Sequence, residues 1–296
     1  MHDKIKSLLH MAAVFVIFIF TDSFCSEVIG MAFRIFDCVR FILVLYICLD
    51  ILNVWIAVFL YSKYVLKMHL SEMYLGKPFP VLRDCIGYMV VPFVIDAAYF
   101  IFTKGEFKIG CCTKGELVSI LFHEVFSSGF RTALTEGIIF RGMLFRIVQK
   151  GFGNKAGILI SNFFYAASSF IFYNSFAWNE SGYLAAFLLA FLMGLAFTLI
   201  TFETGSVWLS VVIHFLYNAL SGNSYILHID TRQDFPAIFT YTVKSGGILF
   251  TDIPAPSIAV FLILVLMALI HRKKRWGSRA MINEGKDGLF GQKHKI

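Results

Sequence analysis

The sequence predicts an all-α, polytopic membrane protein, a bundle of about eight transmembrane helices. Three observations carry that expectation. Apolar runs of 18 or more residues recur along the chain, each long enough to cross roughly 30 Å of hydrocarbon as a helix. Hydrophobic residues make up 58% of the 296 positions and charged residues only 15%, where a soluble domain is nearer a quarter charged, on the order of 25%. The runs are continuously apolar instead of alternating, which argues against a membrane β-barrel. Solvation is the underlying reason: a segment in lipid must satisfy its own backbone hydrogen bonds, and a helix does so.

Taken in order, the expected spans are 8–31, 41–62, 85–102, 117–147, 157–177, 183–202, 206–222 and 255–270. Lys4 and Lys6 before the first run give it the look of a signal peptide. The following Thr21-Asp22-Ser23-Phe24-Cys25 lacks a small-residue cleavage pattern, so an uncleaved helix is expected. The glycines Gly151, Gly153 and Gly157 between the fourth and fifth spans mark a turn and a helix start. They are no phosphate loop, since no Gly-Lys-Ser/Thr follows. The loop around 223–250, with Asp230, Asp234 and Pro236, is the longest polar insertion. Residues 1–275 form one transmembrane domain, with no internal repeat, and the polar tail 276–296 is expected to be disordered.

An even number of spans puts both termini on one side. If that side is cytoplasmic, Lys63, Lys67, Lys77, Arg83, Lys150, Lys155 and the basic stretch His271-Arg272-Lys273-Lys274-Arg275 all lie inside. The outer loops keep fewer cations: Arg34, Arg40, Lys104, Lys108, Lys114, Arg232 and Lys244. This imbalance predicts an integral protein of the plasma (cytoplasmic) membrane with cytoplasmic termini. Much of the net charge of +7 sits in that basic stretch, which reads as an anchor near anionic headgroups and not as a nucleic-acid site. The six cysteines are scattered without repeated CxxC spacing, so neither a disulfide framework nor a zinc-thiolate centre is expected. The 34 phenylalanines read chiefly as lipid-facing or packing bulk.

Two polar clusters interrupt the apolar pattern. His214 and Asn218 stand one helical turn apart inside residues 205–218, an otherwise apolar stretch. Lipid is a poor place for either side chain, so the pair marks a candidate functional site with partners on other helices. The second cluster is Thr135-Glu136-Gly137-Ile138-Ile139-Phe140-Arg141-Gly142. A lone carboxylate or guanidinium at mid-membrane costs at least about 2.5 kcal/mol, so Glu136 and Arg141 need compensation. On an α-helix they stand five residues and about 140° apart, a poor pairing.

The order of these clusters resembles the CPBP family of intramembrane metalloproteases, also called Abi or CAAX-protease-like. That family includes the prenyl-protein endopeptidases. The resemblance covers roughly 117–222 and rests on three motifs: Glu-Glu-x-x-x-Arg, Phe-x-x-x-His and His-x-x-x-Asn. It implies a glutamate that activates water, with histidines and an asparagine positioning the water, a metal or the oxyanion. The third motif is complete in His214 and Asn218, preceded by Thr204, Gly205, Ser206 and Trp208. The first is half present: Glu136 and Arg141 match, but Gly137 replaces the second glutamate. In the second, either Tyr165 with Ser169 or Phe164 with Ser168 takes the Phe-x-x-x-His positions, and the histidine is missing.

The resemblance therefore implies Glu136, Arg141, His214 and Asn218 as catalytic residues. Any divalent metal, zinc-like, would rest on Glu136, His214 and Asn218, with Ser169 a far weaker donor than an imidazole. His123-Glu124 does not compensate, because the fifth position of a zinc-protease motif is Ser127 and an unbroken helix points His123 away from Glu136. His228 and Asp230 lie in the polar loop, Asn174 near the second motif. Two functions follow as expectations. One is hydrolysis of a membrane-embedded or prenylated peptide by glutamate-activated water. The other is a catalytically lapsed scaffold that binds a membrane peptide or protein. Membrane lipid is the surrounding partner in both.

Overall fold

The structure is a computed structural model, and it describes residues 2–35, 39–76, 86–103, 105–110, 112–172, 180–220, 226–230, 237–242 and 256–271. Among these residues there are eight helices. They are α1 (His2–Ile35), α2 (Val39–Leu60), α3 (Ile86–Thr103), α4 (114–152), α5 (Asn154–Phe172), α6 (Glu180–Thr204), α7 (Trp208–Leu220) and α8 (Pro256–His271). Segments Lys4–Cys25, Ile42–Leu66, Ile86–Thr103 and Ala186–Thr204 are long and apolar enough to cross a membrane, and α7 and α8 are shorter apolar helices. The protein is all-α and polytopic, as its hydropathy predicts. The basic stretch from Arg272 on, the tail 276–296, Asn174, Asp234 and Pro236 lie outside the described residues.

Helix α4 is the axis of the bundle. Thr113 caps it, accepting from the Glu116 backbone N–H while the Glu116 carboxylate accepts from the Thr113 N–H, so two of the otherwise unpaired donors at the helix start are satisfied. Every residue from Thr132 to Phe145 is buried. One apolar core packs α1 and α2 against it through Val14, Val54, Val58 and Ile138. A second joins α6, α7 and α8 through Phe197, Ile213, Phe261 and Leu264. The polar residues of this buried stretch thus face protein, which is where polar groups inside a bilayer are tolerated.

Small residues set how closely the helices approach. Gly129 lies against Phe215 and Ala219 of α7, and Gly137 lies against Val207 and Val211. With the fully buried Ala133 between them, they form a shallow groove in which α7 lies, the small-xxx-small arrangement of membrane helices. Across the bundle Gly194 of α6 admits the ring of Tyr165 and the amide of Asn162 from α5. The Asn162 Oδ1 accepts a 2.9 Å hydrogen bond from Thr198 at that contact. Gly153 (φ 85°) and Gly205 (φ 72°) end α4 and α6 in the positive-φ region, where glycine avoids the Cβ penalty.

Connections gather at two ends. At one, the loop after α2 docks on α4 and α7. There the Tyr74 hydroxyl donates to Gln149, Lys150 pairs with Glu72 at 2.9 Å, the Val207 N–H donates to the Tyr74 carbonyl, and the Trp208 indole donates to the Gly76 carbonyl. At the other lies a three-stranded sheet of order β1-β3-β2. Its strands are β1 (Glu106–Ile109), β2 (Leu227–Asp230) and β3 (Phe239–Thr242), with β3 antiparallel to β1 and parallel to β2. The 223–250 segment is therefore partly strand and not a plain polar loop. Four-residue strands, with β1 and β3 paired across more than a hundred residues, leave no local pattern to read.

Candidate active site in the bundle centre

Helix α4 departs from α-geometry twice, as π-helical segments His123–Arg131 and Gly137–Leu144. The second corrects the expectation for Glu136 and Arg141. In a π-helix the backbone bonds run between residues five apart, so positions i and i+5 come onto one face. Glu136 Oε2 lies 4.0 Å from Arg141 Nη1. The i,i+5 pair that an α-helix would separate is brought together, and Arg141 has a carboxylate neighbour although Gly137 replaces the one four residues back.

The same carboxylate oxygen lies 4.0 Å from Nε2 of His214. The acid of α4 and the imidazole of α7 thus meet in the protein interior, at 6% and 1% exposure. Asn218 orients the imidazole. Its amide nitrogen donates to the Ser128 backbone carbonyl at 3.2 Å and lies 3.1 Å from His214 Nε2. The carbonyl fixes which way the amide points, so its second N–H meets Nε2 as an acceptor and the ring proton sits on Nδ1. Ser128 belongs to the first π segment. Both distortions of α4 therefore serve the site, one by supplying the carbonyl and the other by turning Arg141.

Arg141, 1% exposed, lies between two rings, with its guanidinium carbon 4.3 Å from the centroid of Tyr165 and 4.9 Å from that of Phe197. Phe197 also packs on the His214 ring, with centroids 4.9 Å apart. Desolvated cation–π contacts of this kind contribute about 2 kcal/mol and compensate part of the cost of burying the charge. Nδ1 of His214 and both Nε and Nη2 of Arg141 are buried with no hydrogen-bond acceptor among the described residues. Three donors without acceptors beside a carboxylate are a notable departure from the usual pairing of buried polar groups.

Tyr165 facing Arg141 selects between the two registers of the second motif. Phe164 instead packs on Phe15. Ser168 turns its hydroxyl back onto the Tyr165 carbonyl at 2.8 Å. The register with Tyr165 places position 169 one turn further along the face that carries Tyr165; the Ser169 side chain lies outside the described residues, as do those of His228 and Asp230. His123 does not enter the site. It is half exposed and pairs with the buried Glu124 at 3.1 Å, even though the π segment supplies the break in α4 that convergence would need.

The described residues of the site do not fit a zinc-like ion. Among the described residues no three His, Cys, Asp or Glu side chains come together. The one imidazole has its Nε2 lone pair engaged by Asn218, and a guanidinium stands where a second anionic or imidazole ligand would be needed. Sequence reading missed Phe197, the Ser128 carbonyl and an ion pair between Arg131 and Asp50 (2.7 Å) that ties the first π segment to α2. Asp50 was visible as a lone carboxylate within an apolar span, though nothing local named its partner.

Residues 118–220, which contain this whole constellation apart from Asp50, match the family model described as type II CAAX prenyl endopeptidase Rce1-like. No curated protein and no solved structure matches the chain significantly. With the acid, the arginine, the imidazole and the amide all inside the matched segment, residues 118–220 of this chain are similar to the CPBP, or CAAX-protease-like, family.

Proposed function

We propose that the protein is an intramembrane endopeptidase that hydrolyses a peptide bond in a membrane-embedded or prenylated peptide, with Glu136 as general base. The observation that carries this reading is the convergence of one carboxylate oxygen with His214 and Arg141 at 4.0 Å each, beside three donors that lack acceptors among the described residues. Glu136 takes a proton from water as the water oxygen attacks the scissile carbonyl carbon. The carbonyl oxygen gains negative charge and is met by N–H groups of His214 and Arg141, which stabilise it. Collapse of the tetrahedral intermediate breaks the C–N bond, and Glu136 returns its proton to the departing amine. Asn218 holds the imidazole tautomer that presents Nδ1–H as a donor, and Tyr165 and Phe197 hold the guanidinium.

The substrate class rests on the family likeness. A prenylated peptide is delivered by the bilayer, which suits a site reached from within lipid. The positive-inside imbalance supports the cytoplasmic membrane with both termini inside.

The test is turnover of a farnesylated CAAX peptide by purified protein in detergent. Glu136→Gln keeps the shape of the side chain and removes its basicity, so activity should fall by at least about 100-fold, the usual scale of a positioned base. Dialysis against a chelator should leave the rate unchanged. Activity untouched by Glu136→Gln would remove the base role. An inert natural chain that gains turnover in Ser169→His would mark a lapsed enzyme that keeps the scaffold.

A further inference from the structure

The three-stranded sheet is not part of the candidate site, and its two faces differ in chemistry. Paired residues of neighbouring strands share a face. Phe107 stands across from Tyr241, Ile109 from Phe239, and Phe239 in turn from Leu227. Those five residues make one face wholly apolar. Glu106, Lys108, Thr240 and Thr242 occupy the other. A soluble sheet would bury the apolar face, yet here Ile109 is 77% exposed, and Phe107 and Phe239 are exposed as well.

The sheet is pinned to the end of a membrane span. The Tyr241 hydroxyl donates to the Phe100 carbonyl at 3.0 Å, accepts from the Gly105 N–H, and lies 2.8 Å from the Thr103 hydroxyl. Gly105 allows the approach, because a Cβ there would overlap the Tyr241 ring. The Tyr241 ring packs on Phe100 and Phe107 with centroids 4.7 Å apart in each case. Helix α3 is long and apolar enough to cross the bilayer as Ile86–Thr103, and its last turns carry Ile101 and Phe102, the latter 81% exposed. A side chain of that kind at the end of a span meets lipid. The apolar face of the sheet begins at Phe107, four residues beyond Thr103, and is held to the end of α3 by Tyr241, so it lies beside the exposed apolar end of that helix.

We propose that this sheet lies in the bilayer interface, with Phe107, Ile109 and Phe239 set into the boundary between headgroups and acyl chains and Lys108 on the side towards water. Its occupant is the lipid of the surrounding membrane. Its place beside the exposed end of α3 favours lipid over a protein partner, since the depth of the sheet is fixed by a helix long and apolar enough to span. Aromatic and aliphatic side chains at that level follow the same energetics as interfacial helices.

The experiment uses the full chain in nanodiscs of phosphatidylcholine and phosphatidylglycerol. Tryptophan is introduced singly as Ile109→Trp, Phe239→Trp and Lys108→Trp, and its emission is read as the difference from the unmodified chain, which has four tryptophans. Lipids brominated high on the acyl chain should quench the added emission of Ile109→Trp and Phe239→Trp several-fold more than that of Lys108→Trp. Iodide in the aqueous phase should give the reverse order. Equal quenching at the three positions, or iodide access to position 109, would overturn the proposal and leave the face open for a protein or a second copy. The unmodified chain provides an independent measurement that no substitution can disturb: hydroxyl-radical footprinting should spare Phe107 and Phe239 in nanodiscs, and their oxidation at the rate of exposed aromatics would equally overturn it.

Discussion

Gly137 shows how much a single position decides in this site. A Cβ at Gly137 would stand 2.5 Å from Cγ2 of Val211, closer than any carbon pair tolerates, and Val211 precedes His214 by three residues on the same helix. The absence of a side chain at 137 is therefore part of how α7 comes near enough for His214 to reach Glu136. Gly137→Ala pits a helix-propensity gain of up to about 1 kcal/mol against an overpacking cost of about 1–3 kcal/mol, and at that distance the steric cost wins. The variant should be less stable by about 1–2 kcal/mol in chemical denaturation in detergent micelles. Placed on a Val211→Ala background, the same substitution should become neutral or stabilising. An unchanged penalty there would mean that Val211 is not the obstacle. Sequence reading located Glu136, Arg141, His214 and Asn218 because each is a polar group inside an apolar run. It did not foresee the close packing at Gly137, because which side chain fills the space above a glycine is a tertiary fact.

The element that sequence reading misjudged is α4. Its length and apolar character were legible, but the two π segments were not, since residue composition does not distinguish i→i+4 from i→i+5 bonding. One sign was available: a glutamate and an arginine five residues apart in a buried helix make sense only if the helix is overwide between them. Fixing α4 laterally is the task of Arg131, which pairs with Asp50 of α2 at 2.7 Å and lies 4.9 Å over the ring of Tyr46. Removing one partner of a buried pair leaves the other charged and poorly solvated, so Asp50→Ala should cost about 3 kcal/mol in detergent unfolding. The double variant Asp50→Leu with Arg131→Met should recover most of that loss, and a double variant as unstable as the single one would show that more than charge had been lost. At the other end of α4 the short turn Leu70–Met73 is held by Glu72 and Lys150. The hydrogen bond from Lys150 lowers the Glu72 carboxyl below its ordinary value, helped by the His69 N–H and by the Lys150 charge. A lowered folded-state value stabilises above the unfolded carboxyl pKa of about 4.3 and loses that contribution as pH falls through the folded value. Unfolding curves of the natural chain and Glu72→Gln should differ at neutral pH and converge as pH falls through the lowered Glu72 value. Curves that stay apart in acid would place the effect elsewhere.

At the scale of the whole molecule, the hydrophobic pattern predicted the helices to within a few residues, because the bilayer imposes both their length and their bonding. It also predicted which loops share an end. The sheet joins 106–109 to 227–230 and 239–242 at one end, while Glu72, Lys150, Gly76 and Trp208 meet at the other, and α3 runs between them from Tyr88, bonded to His271, to Thr103, bonded to Tyr241. What hydropathy cannot supply is which end faces the cytoplasm, since a helix is equally apolar from either side. Charge breaks that symmetry: Lys63, Lys67, Lys150 and Lys155 belong to the end with Glu72, and Lys108 and Lys114 to the end with the sheet. The positive-inside rule then predicts that the sheet faces outward. Cysteines introduced as Lys155→Cys and Glu106→Cys, in protein expressed in a bacterial inner membrane, test this directly with a membrane-impermeant maleimide and peptide mapping. Spheroplasts should label position 106 at once and position 155 only after permeabilisation. The opposite order would invert the molecule, moving the loop that grips α4 outside and the sheet to the cytoplasmic leaflet, where anionic lipid would attract Lys108.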